Sequence, residues 1–358
     1  MPDRFFQDRT PVLAVAGWSG SGKTTLLERL IPRLVDQWLR VGVWKHDAHH
    51  LDIDREGKDT DRLYRAGAAV VLSEDPSQGF VRVSPSKQVS NQLIPLQQPL
   101  DLILIEGNKS MPFEKIWLNH PDAENPPPQD LENCLKRFDR TPDLVTRVEN
   151  FALGWLRKKW ESRPIRIAFL IGGDSSRMGR PKHLLSYNGH TLIEEMVLRF
   201  KEHSSASIVL VGKGEMPDSL KNMVETLPDI PGGSGPMAGL LSLLRWDPTT
   251  SWVLFGCDLP GLNVRYLEWL KSHRDIGIWG VVPQVEGERF RQPLAAIYEP
   301  QVKPYFETAW SQGFRGMHQT LSGIPVLNPV VPDHLHANLV NTNTPEEWEA
   351  FEKRDEHD

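Results

Sequence analysis

Two glycine-rich segments of this sequence contain residue types that suit phosphate binding. The first, residues 17–24, reads Gly-Trp-Ser-Gly-Ser-Gly-Lys-Thr, which is a glycine, four residues and Gly-Lys-Thr. Backbone N–H groups of such a turn can surround phosphate oxygens, while the lysine reaches the outer phosphates and the threonine hydroxyl binds magnesium. The alternative is a tight turn whose lysine is only solvated. We expect a nucleotide site with Thr24 as its magnesium ligand, formed by Gly17, Gly20, Ser21, Gly22, Lys23, Thr24 and Thr25.

Two more segments of the first half place carboxylates where strands are expected to end. Residues 45–54 read Lys-His-Asp-Ala-His-His-Leu-Asp-Ile-Asp, in which Asp52 or Asp54 would hold magnesium through water. The two adjacent histidines of this segment cannot both face one point on a regular element, so a zinc site is disfavoured. Glu106 ends an apolar run, and a carboxylate in that position can sense magnesium or a γ-phosphate. The alternatives are an exposed polar loop and a plain strand end.

Residues 170–182 form the second glycine-rich segment, Leu-Ile-Gly-Gly-Asp-Ser-Ser-Arg-Met-Gly-Arg-Pro-Lys, directly after another apolar run. Its paired glycines, Gly172 and Gly173, let the backbone approach a nucleotide closely. Arg177 and Lys182 have the charge that suits a triphosphate whose β,γ part must leave. We therefore expect Arg177 and Lys182 to be catalytic. The alternative for the glycine pair is a plain turn.

Two later segments add polar groups to the second half. Residues 229–239 read Asp-Ile-Pro-Gly-Gly-Ser-Gly-Pro-Met-Ala-Gly and open a helical run. We expect Asp229 and Gly235 to lie against the base and ribose of a nucleotide. Asp258 ends a buried strand, where a carboxylate is a natural magnesium ligand, so we expect it to be catalytic and metal-binding. Its alternative role is to cap the following helix. Cys257 is expected to be a packing residue rather than a nucleophile, because no histidine is near it in sequence.

The elements that position these residues follow from hydrophobic periodicity. Apolar runs alternate with helical patterns in both halves, which predicts mostly parallel sheets and an α/β fold class. Leucines and isoleucines at three- and four-residue spacing predict a helix over residues 23–39, directly after the first loop. The predicted strands cover residues 11–17, 41–46, 69–73, 100–106 and 116–118 in the first half, and 165–171, 207–211, 252–255, 280–284 and 294–298 in the second.

The length of 358 residues suggests about two domains. We expect a first domain over residues 1–120 and a second over residues 164–358. Prolines lie among charged residues between them, which predicts a proline-rich linker with a connecting helix over residues 121–163.

Charge and composition limit the classes of partner. The net charge is -6, with acids and bases interspersed and no basic run, so we expect a small-molecule nucleotide rather than nucleic acid. No stretch approaches the ~18 apolar residues that span a membrane, so we expect no membrane partner. Only two cysteines occur, one in each half, which fits a reducing cytoplasm.

The first half resembles the molybdopterin-guanine dinucleotide adapter family (MobB type). The resemblance rests on the Gly-Lys-Thr loop, Lys-His-x-x-His-His with Asp-x-Asp at residues 45–54, Gly-Lys-Asp at 57–59, Ala-Gly-Ala at 66–68 and Glu-Gly-x-Lys at 106–109. It covers about residues 12–118. It implies a P-loop NTPase-like domain that binds GTP, hydrolyses it weakly and has an accessory role.

The second half resembles the molybdenum cofactor guanylyltransferases (MobA type), from about residue 165 to 351. The resemblance includes the segments described above, Gln-Pro-Leu-Ala-Ala-Ile-Tyr at 292–298 and Asn-Thr-Asn-Thr-Pro-Glu-Glu at 341–347. It implies a Rossmann-like nucleotidyltransferase domain in which Mg-GTP binds at Leu170, Ile171 and Gly172. It also implies contacts from Lys182, Asp229 and Asp258. The Gly172-Gly173 pair and the Gly-Pro-x-x-Gly turn at 235–239 favour guanine over cytosine in this family.

Together the resemblances imply one fused polypeptide that matures the molybdenum cofactor. Its C-terminal domain would transfer GMP from GTP to molybdopterin and release pyrophosphate. Its N-terminal domain would bind GTP and recruit partners among the molybdenum cofactor biosynthesis proteins and molybdoenzyme chaperones. The alternatives are a GTP switch without transferase activity, and a transferase of the same fold that uses CTP or acts on a sugar phosphate.

Overall fold

The structure is a computed structural model that describes residues 10–46, 57–74, 77, 79–83, 99–107, 109–110, 112–121, 126–129, 131–172, 181–204, 206–288 and 290–355. The chain divides into two compact units, Met1–Ser162 and Arg163–Asp358. In the part of the chain that is described, no helix is both long and apolar enough to cross a membrane.

The first unit is built on a seven-stranded sheet. Its strands are β1 (Val12–Ala16), β2 (Val41–His46), β3 (Val70–Glu74), β4 (Gly79–Val83), β5 (Leu102–Glu106), β6 (Lys115–Leu118) and β7 (Cys134–Phe138). Their order across the sheet is β4-β3-β2-β5-β1-β6-β7. Neighbouring strands are parallel except β3 and β4, which are antiparallel. All five side chains of the central strand β1 are buried, which explains its continuous apolar run.

Among its described residues, the first unit has three helices. They are α1 (Lys23–Asp36), α2 (Asp59–Arg65) and α3 (Leu144–Glu161). The apolar stripe of α1 is buried as its spacing predicts: Leu26, Leu27, Leu30, Ile31 and Leu34. This helix ends before the predicted residue 39, because Trp38 takes a left-handed φ of 64° that stops the helical run.

The expected linker over residues 121–163 is wrong in its central part. Strand β7 lies there and pairs in parallel with β6, so it extends the first sheet. Helix α3 packs against α1, and Arg33 of α1 forms a 2.9 Å ion pair with Glu149 of α3. The sequence pattern missed β7 because Phe138 is its one fully buried side chain. Strand β4 and helix α2 were also not predicted.

The second unit is built on a seven-stranded mixed sheet. Its strands are β8 (Ile165–Ile171), β11 (Ile208–Gly212), β12 (Glu225–Leu227), β13 (Ser251–Gly256), β14 (Gly280–Val281), β15 (Ala295–Tyr298) and β16 (Val326–Leu327). Their order across the sheet is β12-β11-β8-β13-β15-β14-β16. Strands β12, β11, β8 and β13 are mutually parallel, whereas β15 runs antiparallel to both β13 and β14. Strands β9 (Ser186–Tyr187) and β10 (His190–Thr191) form a separate hairpin.

Six α-helices are described in the second unit: α4 (Leu192–His203), α5 (Pro236–Trp246), α6 (Val264–Ser272), α7 (Lys303–Ser311), α8 (Met317–Leu321) and α9 (Pro345–Asp355). An aromatic cluster joins the sheet to α4, with ring centroids of Phe169, Phe200 and Phe255 5.4 to 5.8 Å apart. These contacts hold β8 and β13 rigidly, so the loops that follow them have fixed starting points. The predicted α/β class with two mostly parallel sheets is confirmed.

Candidate functional site

The first glycine-rich segment forms a turn between β1 and α1, as the phosphate-loop pattern predicts. Gly20 and Gly22 have φ values of +77° and +90°, a conformation that side chains rarely adopt. A Cβ on Gly17 would lie 2.8 Å from the carbonyl oxygen of Leu118 in β6. The loop therefore needs glycine both for its backbone conformation and for its close approach to the neighbouring strand.

Lys23 and Thr24 begin helix α1 at the mouth of this loop. The Lys23 Nζ donates to the carbonyl oxygens of Gly17 and Trp18, at 3.3 and 2.8 Å. Burial lowers the pKa of Lys23, while the nearby Glu106 carboxylate opposes that shift. The ammonium thus lies over the loop, where it would meet the outer phosphates of a nucleotide. The predicted Thr25 is exposed on the first turn of the helix.

Glu106 joins the loop from the end of β5, the neighbour of β1. The Thr24 hydroxyl donates to Glu106 Oε1 at 2.5 Å, whereas Oε2 is buried without a hydrogen-bond partner among the described residues. Burial raises the pKa of Glu106. A hydroxyl beside a carboxylate with an unsatisfied buried oxygen is a donor set that fits magnesium, which prefers oxygen ligands.

Residues 170–172 and 182 of the second glycine-rich segment line a cavity of about 200 Å³ at the carboxyl ends of β8, β11 and β13. Open α/β sheets bind ligands at this edge. The cavity brings together seven predicted residues: Leu170, Ile171, Gly172, Lys182, Asp229, Gly235 and Asp258. Sequence reasoning did not single out seven others as site residues: His183, Val211, Gly212, Pro236, Gly256, Cys257 and Leu294.

Some predicted residues lie outside the described part of the chain. These are Gly173 and Arg177 of the second loop, and Asp52 and Asp54 of the segment after β2. The assignments made to them therefore stay predictions. Among the described residues, no group of three or more His, Cys, Asp or Glu side chains could hold a metal.

One wall of the cavity is a close contact between two backbone turns. Gly212, at the end of β11, has a φ of +127°, and a Cβ there would lie 2.0 Å from the carbonyl oxygen of Ile171. A Cβ on Gly172 would lie 2.8 Å from the backbone nitrogen of Gly214. The two turns also share a hydrogen bond from Gly214 N–H to Ile171 O, at 3.3 Å. Only glycines allow this contact, which leaves bare backbone facing the cavity.

His183 supports this wall from below. Its side chain is buried, its Nε2 is 3.0 Å from the carbonyl oxygen of Glu215, and a Cβ on Gly214 would lie 2.8 Å from the imidazole. Burial lowers the pKa of His183, which favours the neutral ring. No local sequence pattern indicates a role for this residue, because the contact depends on how residues 182–184 pack against the turn after β11.

The segment 341–347 contacts Lys182 through its side chain and Asp258 through its backbone. The Lys182 Nζ donates to the Asn343 side-chain oxygen at 2.5 Å. Thr342 donates its backbone N–H to the carbonyl oxygen of Asp258 at 2.9 Å. A segment far away in sequence thus contacts the ammonium of Lys182 and the backbone of Asp258.

Cys257 lines the same cavity beside Asp258. Burial, with a smaller effect of the Asp258 carboxylate, raises the pKa of the thiol to about 12. The thiolate that a nucleophile needs is therefore absent near neutral pH. This is a firmer reason against a nucleophilic role than the lack of a nearby histidine in sequence, since His183 lines the same cavity.

The two sheets, the phosphate loop and the cleft define a chain with one nucleotide-binding unit and one nucleotidyltransferase-type unit. Residues 12–136 match the family model of molybdopterin guanine dinucleotide synthesis protein B, and residues 167–325 match that of the MobA-like NTP transferase domain. The chain belongs to both families, the first unit to the MobB family and the second to the MobA-like nucleotidyltransferases. It is therefore a molybdenum cofactor biosynthesis protein whose second unit is a nucleotidyltransferase.

Relatives of known name match each unit separately. A molybdopterin-guanine dinucleotide biosynthesis adapter protein of Haemophilus influenzae is 33% identical over 164 residues, which are 41% of this chain and 92% of that protein. A probable molybdenum cofactor guanylyltransferase of Bacillus cereus is 30% identical over 191 residues, 51% of this chain and 94% of that protein. A crystal structure of molybdopterin-guanine dinucleotide biosynthesis protein A from Archaeoglobus fulgidus is 24% identical and covers 54% of this chain and 100% of that chain, with a TM-score of 0.46.

Proposed function

We propose that the second unit transfers GMP from GTP to the terminal phosphate of molybdopterin. An oxygen of that phosphate attacks the α-phosphorus of GTP, and the bond from the α-phosphorus to the bridging oxygen of the β,γ part breaks. The products are the guanine dinucleotide cofactor and pyrophosphate. This reaction needs no protein nucleophile, which agrees with the protonated state of Cys257.

Lys182 is the residue that we assign to charge neutralisation. Its ammonium lies at the cavity, and its bond to Asn343 fixes its direction before a nucleotide arrives. A preorganised cation is most effective where charge develops, which here is the leaving pyrophosphate. Arg177, outside the described residues, is proposed to assist it.

Asp258 is proposed to hold Mg²⁺ at the tip of β13. Magnesium commonly binds one or two carboxylates, several waters and substrate phosphates rather than a full cage of protein ligands. A single carboxylate at the strand end, with Asp229 elsewhere in the cavity, fits that habit. When bound, the ion would stabilise the negative charge that builds on the phosphates.

The guanine base is proposed to lie against the wall made by Leu170, Ile171 and Gly172, with Asp229 and Gly235 nearby. Burial raises the pKa of Asp229, which Lys213 partly opposes. The bare backbone of this wall supplies N–H and C=O groups that can bond a base edge. The names of the relatives of the second unit also support guanine.

The first unit is proposed to bind Mg-GTP as an accessory domain. Gly17, Gly20, Ser21, Gly22 and Lys23 would surround the phosphates, and Thr24 would bind the ion beside Glu106. Its partners are proposed among other molybdenum cofactor biosynthesis proteins and molybdoenzyme chaperones, as the adapter name of its relatives suggests.

One observation supports the transferase proposal most strongly. Residues spread from Leu170 to Asp258 in sequence line one cavity, and a segment beyond residue 340 binds the Lys182 side chain and the Asp258 backbone. A binding module without catalysis would not require an oriented cation and a carboxylate in one cavity.

Pyrophosphate release tests this proposal. Purified protein, Mg²⁺ and molybdopterin would be incubated with GTP or CTP, for the native chain, Asp258→Ala and Asp218→Ala. Asp218 is an exposed carboxylate that pairs with Lys221 and lies outside the cavity, so its variant is a matched control. We expect GTP-dependent release that Asp258→Ala reduces by roughly 10²- to 10³-fold and Asp218→Ala leaves unchanged. Release with CTP instead would support the cytidylyl alternative, and nucleotide binding without release would support the switch.

A further inference from the structure

The ends of β6 and β7 form a polar cluster that the phosphate-loop residues do not account for. Asn119 follows β6 directly, and Asp139 follows β7 directly. The Asn119 side-chain N–H group donates to Asp139 Oδ1 at 2.7 Å, and the Asn119 backbone N–H donates to the carbonyl oxygen of Phe138 at 2.9 Å. The two strand ends are thus tied to each other, with the Asp139 carboxylate exposed to solvent.

The residues that follow Asn119 and Asp139, which are His120 and Arg140, border the phosphate loop. His120 Nε2 lies 3.5 Å from the position that a Cβ on Gly20 would take. The Arg140 guanidinium carbon lies 3.4 Å from the corresponding position at Gly22. The cluster and the phosphate loop therefore form one continuous surface.

Sheet geometry gives this surface the reach of a nucleotide. Strand β6 is the parallel neighbour of β1, and β7 is the parallel neighbour of β6. Neighbouring strands lie roughly 5 Å apart, so the end of β7 is about 10 Å from the end of β1, where the phosphate loop begins. A nucleotide whose phosphates lie in the loop can extend its base across β6 towards Asp139.

The chemistry of the cluster selects among bases. Guanine presents two neighbouring donors, N1–H and N2–H, which a single carboxylate can accept together. Its other edge presents the acceptors O6 and N7, which suit an arginine or an amide N–H group. Adenine presents an unprotonated N1 at the corresponding position and would repel a carboxylate.

We propose that Asn119, His120, Asp139 and Arg140 form the base-reading end of the nucleotide site in the first unit and select guanine. Asp139 accepts from the Watson–Crick edge of the base, and Asn119 is the positioning residue that holds its carboxylate. His120 and Arg140 border the loop between base and phosphates. This inference rests on the proposed binding of a nucleotide by the phosphate loop, to which it adds the residues that decide which base is bound.

Exchange of one oxygen for an amide tests the assignment. Asp139→Asn replaces an acceptor by a donor, which faces the N2–H group of guanine badly but matches the O2 oxygen of xanthine. We expect the affinity of the full chain for GTP to fall roughly 10- to 100-fold and that for xanthosine triphosphate to rise by a similar factor. Glu132→Gln, which removes an exposed carboxylate before the opposite end of β7, is the matched control and should change neither affinity.

Competition against a fluorescent non-hydrolysable GTP analogue would measure GTP, ATP and xanthosine triphosphate on the full chain. Lys23→Ala identifies the part of the binding that belongs to the first unit, since Lys23 lies in the phosphate loop. Lys23-dependent binding whose preference is unchanged by Asp139→Asn, or that does not distinguish GTP from ATP, would overturn the inference alone. Absence of any Lys23-dependent binding would overturn the accessory GTP site itself. Asn119→Ala should weaken guanine selectivity less than Asp139→Asn does, because it loosens the carboxylate without removing it.

Discussion

Individual residues decide the chemistry of both sites, and His183 is the residue whose role depends most on the fold. It does not extend a charge towards the nucleotide. Instead it supports the glycine turn after β11, which in turn contacts Ile171 and Gly172. It is therefore a positioning residue for the wall against which the base is proposed to lie.

His183→Ala should raise the KM for GTP roughly 10-fold while kcat changes less, because the wall loosens but Lys182 and Asp258 remain in place. His183→Gln should restore most of the affinity, since its amide can still donate to the carbonyl oxygen of Glu215. Steady-state kinetics of pyrophosphate release would measure both variants. Equal losses in both variants with KM unchanged would show that His183 acts in another way.

At the scale of elements, the turn after β11 leaves the least room for a Cβ among the described glycines that line the cavity. Gly212→Ala would place a methyl group 2.0 Å from a backbone oxygen, at a φ of +127°. We expect a loss of more than about 3 kcal/mol in the free energy of unfolding of the second unit. The distorted wall should also bind GTP more weakly.

Gly287→Ala is the matched control for this substitution. Gly287 also has a positive φ, +79°, but a Cβ there would have no atom within 4 Å. Its variant should lose only about 1 kcal/mol, from backbone strain. Urea denaturation would compare the two, and equal losses would mean that strain rather than the close contact dominates at Gly212.

Also at the scale of elements, Asp61 joins α2 to β4 through Arg82. It accepts hydrogen bonds from the backbone N–H of Gly57 at 3.0 Å and from Arg82 at 2.8 Å. The Gly57 bond first, then Arg82, lowers the pKa of Asp61 from 3.8 to about 2. Because the pKa is lower in the folded state, this stabilisation is complete above about pH 4 and is lost as the pH falls towards 2.

Asp61→Asn should therefore destabilise the first unit at pH 6 and reduce the fall of its stability between pH 4 and 2. Denaturation curves at several pH values would measure the free energy of unfolding for both proteins. Asp36→Asn, at an exposed position near the end of α1, is the control. An Asp61→Asn curve parallel to that of the native chain over this range would contradict the linkage.

The sequence predicted the buried elements well and the exposed ones poorly. Strands Val41–His46 and Ile165–Ile171 begin and end where predicted, because their apolar runs reflect burial in a mostly parallel sheet. Strand Cys134–Phe138 has mostly exposed side chains at the edge of its sheet and left no such pattern. The sequence positions of the phosphate loop and of the turn after β8 could be predicted, because glycine is favoured at the positive φ values of Gly20, Gly22 and Gly172. The contact from Lys182 to Asn343 joins residues 161 positions apart, which no local pattern encodes.

At the scale of the whole molecule, each site is built from residues of its own unit. All residues that line the cleft lie between Leu170 and Leu294, and the phosphate loop belongs to Met1–Ser162. Because the two units belong to one chain, each is present at a raised effective concentration for the other.

Lys23→Ala should consequently leave kcat for pyrophosphate release within about twofold at saturating GTP, because each site consists of residues of its own unit. The same variant should lose nucleotide binding by the first unit. Release assays and nucleotide binding on the full chain would measure both effects. A loss of kcat greater than about tenfold would show that the first unit participates in transfer.

Labelling the two ends of GTP separately tests most directly whether the second unit transfers GMP. The full chain would be incubated with Mg²⁺, molybdopterin and GTP labelled at either the α- or the γ-phosphate. We expect the α label to enter the pterin product and the γ label to leave as pyrophosphate. Release of the γ label as inorganic phosphate, with no α label in the pterin, would show hydrolysis without transfer and would contradict the guanylyltransferase.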